Sequence, residues 1–72
     1  METINFRINE EYIELCQLLK ATGLCGSGGE AKQNIAEGLV QVDGVVETRK
    51  KCKINVGAKV MYNNNKIIVI GE

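Results

Sequence analysis

The pair Asp43-Gly44, set between Leu39-Val40-Gln41-Val42 and Val45-Val46-Glu47, constrains this chain more than any other local feature. A two-residue connection between alternating apolar runs closes a hairpin when both central residues take positive φ, and Asp-Gly is one of the few pairs that does so readily. The C-terminal half continues in the same period. Ile54 to Val56 reads as a strand ending at a Gly57 turn. Lys59-Val60-Met61-Tyr62 and Lys66-Ile67-Ile68-Val69-Ile70 read as strands joined by Asn63-Asn64-Asn65, whose asparagines tolerate left-handed backbone.

The N-terminal half has a different period. Thr3 to Ile8 alternates polar and apolar residues, as a half-buried strand does. Asn9 is then predicted to cap a helix from Glu10 to about Thr22, with Glu10 and Glu11 at the end where the helix dipole favours negative charge. Ile8 and Ile13 are placed for a hydrophobic staple, and Tyr12, Leu15, Cys16 and Leu19 form one apolar stripe. Gly23 suits the left-handed position after the helix, with Leu24 folding back on Leu19. A second helix opens at once: Ser27-Gly28-Gly29-Glu30 fits a capping box in which Ser27 accepts from the Glu30 N–H and the Glu30 carboxylate returns to the Ser27 N–H. Ala31, Ile35 and Ala36 give it an apolar face, and Gly38 ends it. So short a connection makes the two helices pack as a corner. Strand, helix, helix, hairpin, strands is the order of an α+β domain.

Seventy-two residues hold one domain, 1–72, with a small core and little depth for a buried cleft. The apolar share of 44% is that of a folded chain, yet its longest run, Ile67 to Ile70, is far too short to span a membrane. Met1 to Phe6 lacks the basic start and apolar centre of a signal peptide, which points to the cytoplasm. Cys16, Cys25 and Cys52 form no C-x-x-C spacing and the chain has no histidine, so no metal or cofactor is expected. The same lack of histidine, with no serine or cysteine beside a base, argues against an enzyme.

The formal net charge is zero, but it is unevenly distributed. Residues 1–30 carry Arg7 and Lys20 against five glutamates; residues 31–72 carry seven basic and four acidic side chains. The basic half contains the run Arg49-Lys50-Lys51-Cys52-Lys53, four cations in five residues. Such a cluster suits a polyanion, since each neutralised phosphate releases a condensed counterion, and a local field steers such a partner better than total charge does. Arg49 can also fork onto a phosphate or stack on a base. The plainer reading of the run is a solvated loop.

The helix pair joined at Ser27, the segment Glu37-Gly38-Leu39-Val40-Gln41-Val42-Asp43-Gly44, the basic stretch, and Val56-Gly57-Ala58-Lys59-Val60 together resemble the alpha-L RNA-binding motif. This is the S-four domain, named for bacterial ribosomal small-subunit protein four and also found in pseudouridine synthases and tyrosyl-tRNA synthetases. The resemblance covers residues 10 to about 62 and is nearest to the small stand-alone bacterial proteins of YbcJ type. Gly28 stands where the family often has arginine, and Ala58 where it often has aspartate. The resemblance implies an alpha-L fold, with two short packed helices, a hairpin and a small, mainly antiparallel sheet. It also implies a non-catalytic module binding structured RNA, ribosomal or transfer RNA, on the ribosome or an assembly intermediate. The RNA-binding residues it points to are Arg49, Lys50, Lys51 and Lys53, with Lys32, Lys59 and Ser27 widening the patch.

Other features carry two readings. Gly26 to Gly29, at a helix start, could lodge a phosphate, but the capping box competes for those donors. Tyr12 and Tyr62 could each offer a stacking platform to a base; Tyr12 lies on the apolar stripe, which favours the core, whereas Tyr62 beside the asparagine turn is partly exposed. Cys52, between lysines, is a candidate reactive thiol or simply a small half-buried side chain. A rival function is a protein-interaction module that docks a partner through the acidic helix from Glu10 or through a sheet edge.

Overall fold

Alternation at the N-terminus produces the first strand, β1 (Glu2–Arg7), with Ile4 and Phe6 turned against the core and Thr3, Asn5 and Arg7 exposed. The computed structural model describes residues 2–71; Met1 and Glu72, the ends of the expected domain, lie outside the described residues. Ile8 follows β1 into the core, and the chain bends through Asn9, Glu10 and Glu11.

Here the structure departs from expectation. Tyr12–Glu14 is not helical but a short strand, β2, and the first helix, α1, spans only Leu15–Ala21. β2 pairs antiparallel with β5 (Lys53–Asn55), in the register Tyr12↔Asn55, Ile13↔Ile54 and Glu14↔Lys53. That pairing seats Ile13 beside the fully buried Ile54, a non-local gain that outweighs one extra helical turn. The N-cap is therefore Glu14 rather than Asn9, and its side chain makes no capping bond. Within α1, Leu15, Cys16, Leu18 and Leu19 are buried, while Tyr12, expected in the same stripe, stands outside it and is 38% exposed.

The signals after α1 act as local chemistry predicts. Gly23 takes φ +80 and its N–H bonds the Lys20 carbonyl at 3.0 Å. The Leu19 carbonyl is taken by Cys25 rather than Leu24, at 3.2 Å. The second helix, α2 (Gly28–Ala36), starts at Ser27, whose Oγ accepts from the Glu30 N–H at 3.1 Å. The Glu30 carboxylate reaches one residue further back than a capping box requires, to the Gly26 N–H at 3.2 Å. Ala31 and Ile35 are buried; Ala36, expected with them, is exposed.

β3 (Val40–Val42) and β4 (Val45–Val46) form the hairpin, with Asp43 at φ 51 and Gly44 at φ 84. β6 (Lys59–Tyr62) and β7 (Asn65–Ile70) form a second hairpin through Asn63 and Asn64, at φ 50 and 64. The main sheet runs β1-β7-β6-β3-β4. Every neighbour is antiparallel except β1 and β7, which pair in parallel from Glu2↔Asn65 to Arg7↔Ile70. Val40, Val60, Ile67 and Val69 of the sheet close one core with Leu15, Leu18, Leu19 and Ile35 of the packed helices. The architecture is α+β, two helices with a mixed, mainly antiparallel sheet.

Candidate nucleic-acid interface

The basic run fills the connection after β4 and ends on Lys53, the first residue of β5, and its backbone is tied down at several points. The Glu47 N–H donates to the Val40 carbonyl at 3.0 Å, extending the hairpin ladder by one residue. The Cys52 N–H closes a turn onto the Arg49 carbonyl at 3.1 Å. The carbonyls of Cys52 and Lys50 then accept from the N–H groups of Leu15 and Cys16, at 2.9 and 3.1 Å. A helix start leaves its first N–H groups without intrahelical partners, and in α1 the loop backbone satisfies two of them. The loop is thus the tertiary cap of α1, which is why no local capping side chain is needed.

With the backbone so used, the cationic side chains face outward: Arg49, Lys50, Lys51 and Lys53 are all exposed. Arg49, Lys51, Cys52 and Lys53 line one shallow depression. Arg49 is engaged in part. Glu47, whose side chain is 17% exposed, receives the Arg49 Nε at 2.9 Å, its Nη2 at 3.0 Å and its backbone N–H at 3.0 Å. These bonds hold the Glu47 carboxyl at about 2, against an ordinary 4.5, and raise the guanidinium further. Sequence reasoning missed this clamp. The signal was present in the two-residue spacing of an acid and an arginine just past the end of β4.

Lys53 opens β5 opposite Glu14, yet its ammonium sits 5.0 Å from the centroid of the Tyr12 ring. Cys52 is half-buried, and burial, followed by the Glu47 charge, pushes its thiol up against the opposing pull of Arg49. That direction favours the reading of Cys52 as a small half-buried side chain. Cys16 and Cys25 are buried.

The remaining predicted residues sit on other elements. Lys32 is exposed on α2, and Ser27 caps the same helix. Lys59 begins β6 beside the Asp43-Gly44 turn, where its N–H donates to Asp43 Oδ1 at 3.0 Å and its carbonyl accepts the Asp43 N–H at 2.7 Å. Among the described residues, no side-chain hydrogen bond or ion pair joins these three to the basic loop. Tyr62 is occupied elsewhere: its hydroxyl accepts from Asn34 Nδ2 at 2.8 Å, and burial raises its phenol. The acidic helix expected from Glu10 does not form as such, because Glu10 and Glu11 lie in the bend before β2. Among the described residues, no helix is long and apolar enough to cross a membrane, and no group of three His, Cys, Asp or Glu is arranged to hold a metal ion.

A helix pair, a hairpin and a basic loop capping the first helix are the parts of an alpha-L motif, and residues 6–70 match the S4 domain. The chain belongs to the S4 domain family. This S4 domain is 51% identical over 59 residues to YbcJ of Escherichia coli strain K12, covering 82% of this chain and 84% of that protein. A tyrosine–tRNA ligase of Ralstonia nicotianae is 47% identical over 49 residues, covering 68% of this chain but 12% of the ligase. The solution structure of E. coli YbcJ, described as revealing an alpha-L motif involved in RNA-binding, superposes with a TM-score of 0.74 at 44% identity. That superposition covers 97% of this S4 domain and 90% of YbcJ.

Proposed function

We propose that this S4 domain binds structured RNA, ribosomal or transfer RNA, as a non-catalytic module acting on the ribosome or an assembly intermediate. One observation carries the reading. The loop from Arg49 to Lys53 spends its backbone on capping α1 and turns its cations outward, a rigid platform where a free basic loop would be mobile. A preorganised cluster loses less conformational entropy on meeting phosphates. The description of YbcJ as having a motif involved in RNA-binding supports the same reading.

In this reading Lys50 and Lys51 make phosphate contacts, and so does Lys53 at the edge of the shared depression. Arg49 contributes through Nη1, the arm of its guanidinium not bonded to Glu47. Lys32 and Lys59 extend the contact, and the Ser27 hydroxyl, which accepts one bond as a cap, still has a proton to donate to a phosphate oxygen. Residues 1–72 act as one unit, in the cytoplasm, where three free thiols are at home.

The test is a titration with a structured RNA at several salt concentrations. Each phosphate contact steepens the dependence of log K on log salt by about 0.9 on a duplex. Lys50→Glu combined with Lys51→Glu is expected to flatten that slope by roughly 1.8 and to leave the melting temperature unchanged, because the fold uses the Lys50 carbonyl and not its side chain. Binding without salt dependence, or unaltered in the double variant, refutes the proposal.

A further inference from the structure

The two-stranded ribbon of β2 and β5 has one face in the core and one in solvent. Ile13 and Ile54 point inward, so the alternate residues Tyr12, Glu14, Lys53 and Asn55 share the outer face. Sequence periodicity had assigned Tyr12 to the core, and the change of Tyr12–Glu14 from helix to strand is what turns the ring outward.

Three features of this face belong together. Its aromatic ring is exposed and held on a strand rather than a mobile loop. The Lys53 ammonium lies 5.0 Å from the ring centroid, and Lys53, although directly across from Glu14, forms no ion pair with it. Lys53 is also a wall of the basic depression shared with Arg49 and Lys51, so Tyr12 stands immediately beyond the end of the phosphate-binding loop. The ring also borders a depression with Glu10, Glu11 and Glu14, and another that includes Arg7.

We infer that Tyr12 and Lys53 form a platform for one unpaired nucleotide of the RNA. The base stacks on the Tyr12 ring, Lys53 takes the phosphate of that nucleotide, and the strand continues into the depression lined by Arg49 and Lys51. Stacking is indifferent to which base is presented, so the platform selects for an unpaired nucleotide rather than a particular letter. The inference rests on the RNA-binding reading above and adds a requirement to it: a loop or bulge beside the paired stem.

The experiment compares a hairpin RNA bearing an unpaired loop with a fully paired duplex of equal length, by fluorescence anisotropy. Wild type is expected to prefer the hairpin. Base–aromatic stacking of about 1–3 kcal/mol corresponds to roughly 5- to 150-fold, and Tyr12→Leu should lose hairpin affinity within that range while binding the duplex with the wild-type salt slope. Tyr12→Phe, which keeps the ring and drops the hydroxyl, should retain the preference, and an unchanged thermal melt for each variant confirms the fold. If Tyr12→Leu binds both RNAs as wild type does while Lys50→Glu with Lys51→Glu abolishes binding, the platform is wrong and the RNA-binding reading survives. If neither variant alters binding, both fall.

Discussion

Glu47 and Arg49, two residues apart just after β4, form a two-pronged ion pair, with Nε 2.9 Å from Oε2 and Nη2 3.0 Å from Oε1. The Arg49 N–H adds a third bond to Oε2 at 3.0 Å, so the carboxylate orders the main chain as well as the guanidinium. This places an acid beside a cluster of exposed cations. It holds Arg49 in one geometry and removes part of its charge from the face that Lys50, Lys51 and Lys53 present. A chain with zero net charge and one basic loop, partly restrained in this way, should bind RNA selectively rather than indiscriminately.

Glu47→Gln is therefore expected to strengthen RNA binding at low salt by several-fold. It removes one negative charge and frees the Nε and Nη2 arms of Arg49, which should steepen the salt slope. Anisotropy titrations at three or more salt concentrations read both quantities. A weaker complex would mean that Arg49 must be held by Glu47 in order to bind.

The same pair predicts a particular response to acid. The Glu47 carboxyl titrates at about 2 in the folded protein against 4.5 ordinarily, so the folded state binds this proton less tightly than the unfolded chain does. The pair's contribution to stability is full above pH 4.5 and is lost as pH falls toward 2. Carbon-13 NMR of the side-chain carboxyls should show Glu47 still ionised at pH 4. A midpoint for Glu47 near 4.5 would show that the pair is not formed in solution.

Cys52 should alkylate slowly. Burial comes first and the Glu47 carboxylate next in raising its thiol, and these outweigh the opposing pull of Arg49. At pH 7 iodoacetamide is expected to modify Cys52 more slowly than an unstructured peptide cysteine, and Glu47→Gln should speed the reaction by removing one of the raising influences. Intact-mass kinetics with peptide mapping separates Cys52 from the buried Cys16 and Cys25.

Ser27→Ala removes the acceptor of the Glu30 N–H at the start of α2. The expected loss is about 1 kcal/mol, within the 0.5–2 kcal/mol common for N-caps, read from urea midpoints at constant m. Ser27→Asp, which keeps an acceptor at the cap, should restore stability. A loss in both variants would locate the role of Ser27 outside the cap.

Tyr62→Phe leaves the half-buried Asn34 amide without its 2.8 Å oxygen partner. The expected cost is about 1 kcal/mol, and RNA affinity should not change, since Tyr62 faces α2 through Asn34 rather than the basic loop. Comparing the Tyr62→Phe and Tyr12→Leu variants tests whether the two tyrosines divide fold and binding between them.

Several elements were legible in the residues alone, each for a local reason. Asp43-Gly44 and Asn63-Asn64 take the positive φ their turns need, whatever the strands later meet. Ser27 finds its donor three residues on, and Gly23 and Gly38 adopt the left-handed backbone that ends a helix, at φ +80 and +78. In each case donor, acceptor or required dihedral lies within about one turn of chain. The family was legible for the same reason, because its most specific segment, Glu37 to Gly44, is a local turn-and-strand.

What only tertiary structure decided is where the chain had a choice between local and distant partners. Asn9 to Glu14 could have opened a helix, but Tyr12–Glu14 became a strand because Lys53–Asn55 supplied a ladder and Ile54 a buried neighbour. That single choice moved Tyr12 from the expected core to the surface beside Lys53, and it left the N-terminus of α1 to be capped by carbonyls of Lys50 and Cys52. The parallel pairing of β1 with β7 is of the same kind, joining residues more than 60 positions apart. The sequence by itself determined turns, caps and the position of the basic run; packing decided which of its neighbours share a face with it, because strand partners and buried contacts are fixed by distant residues that local propensity does not record.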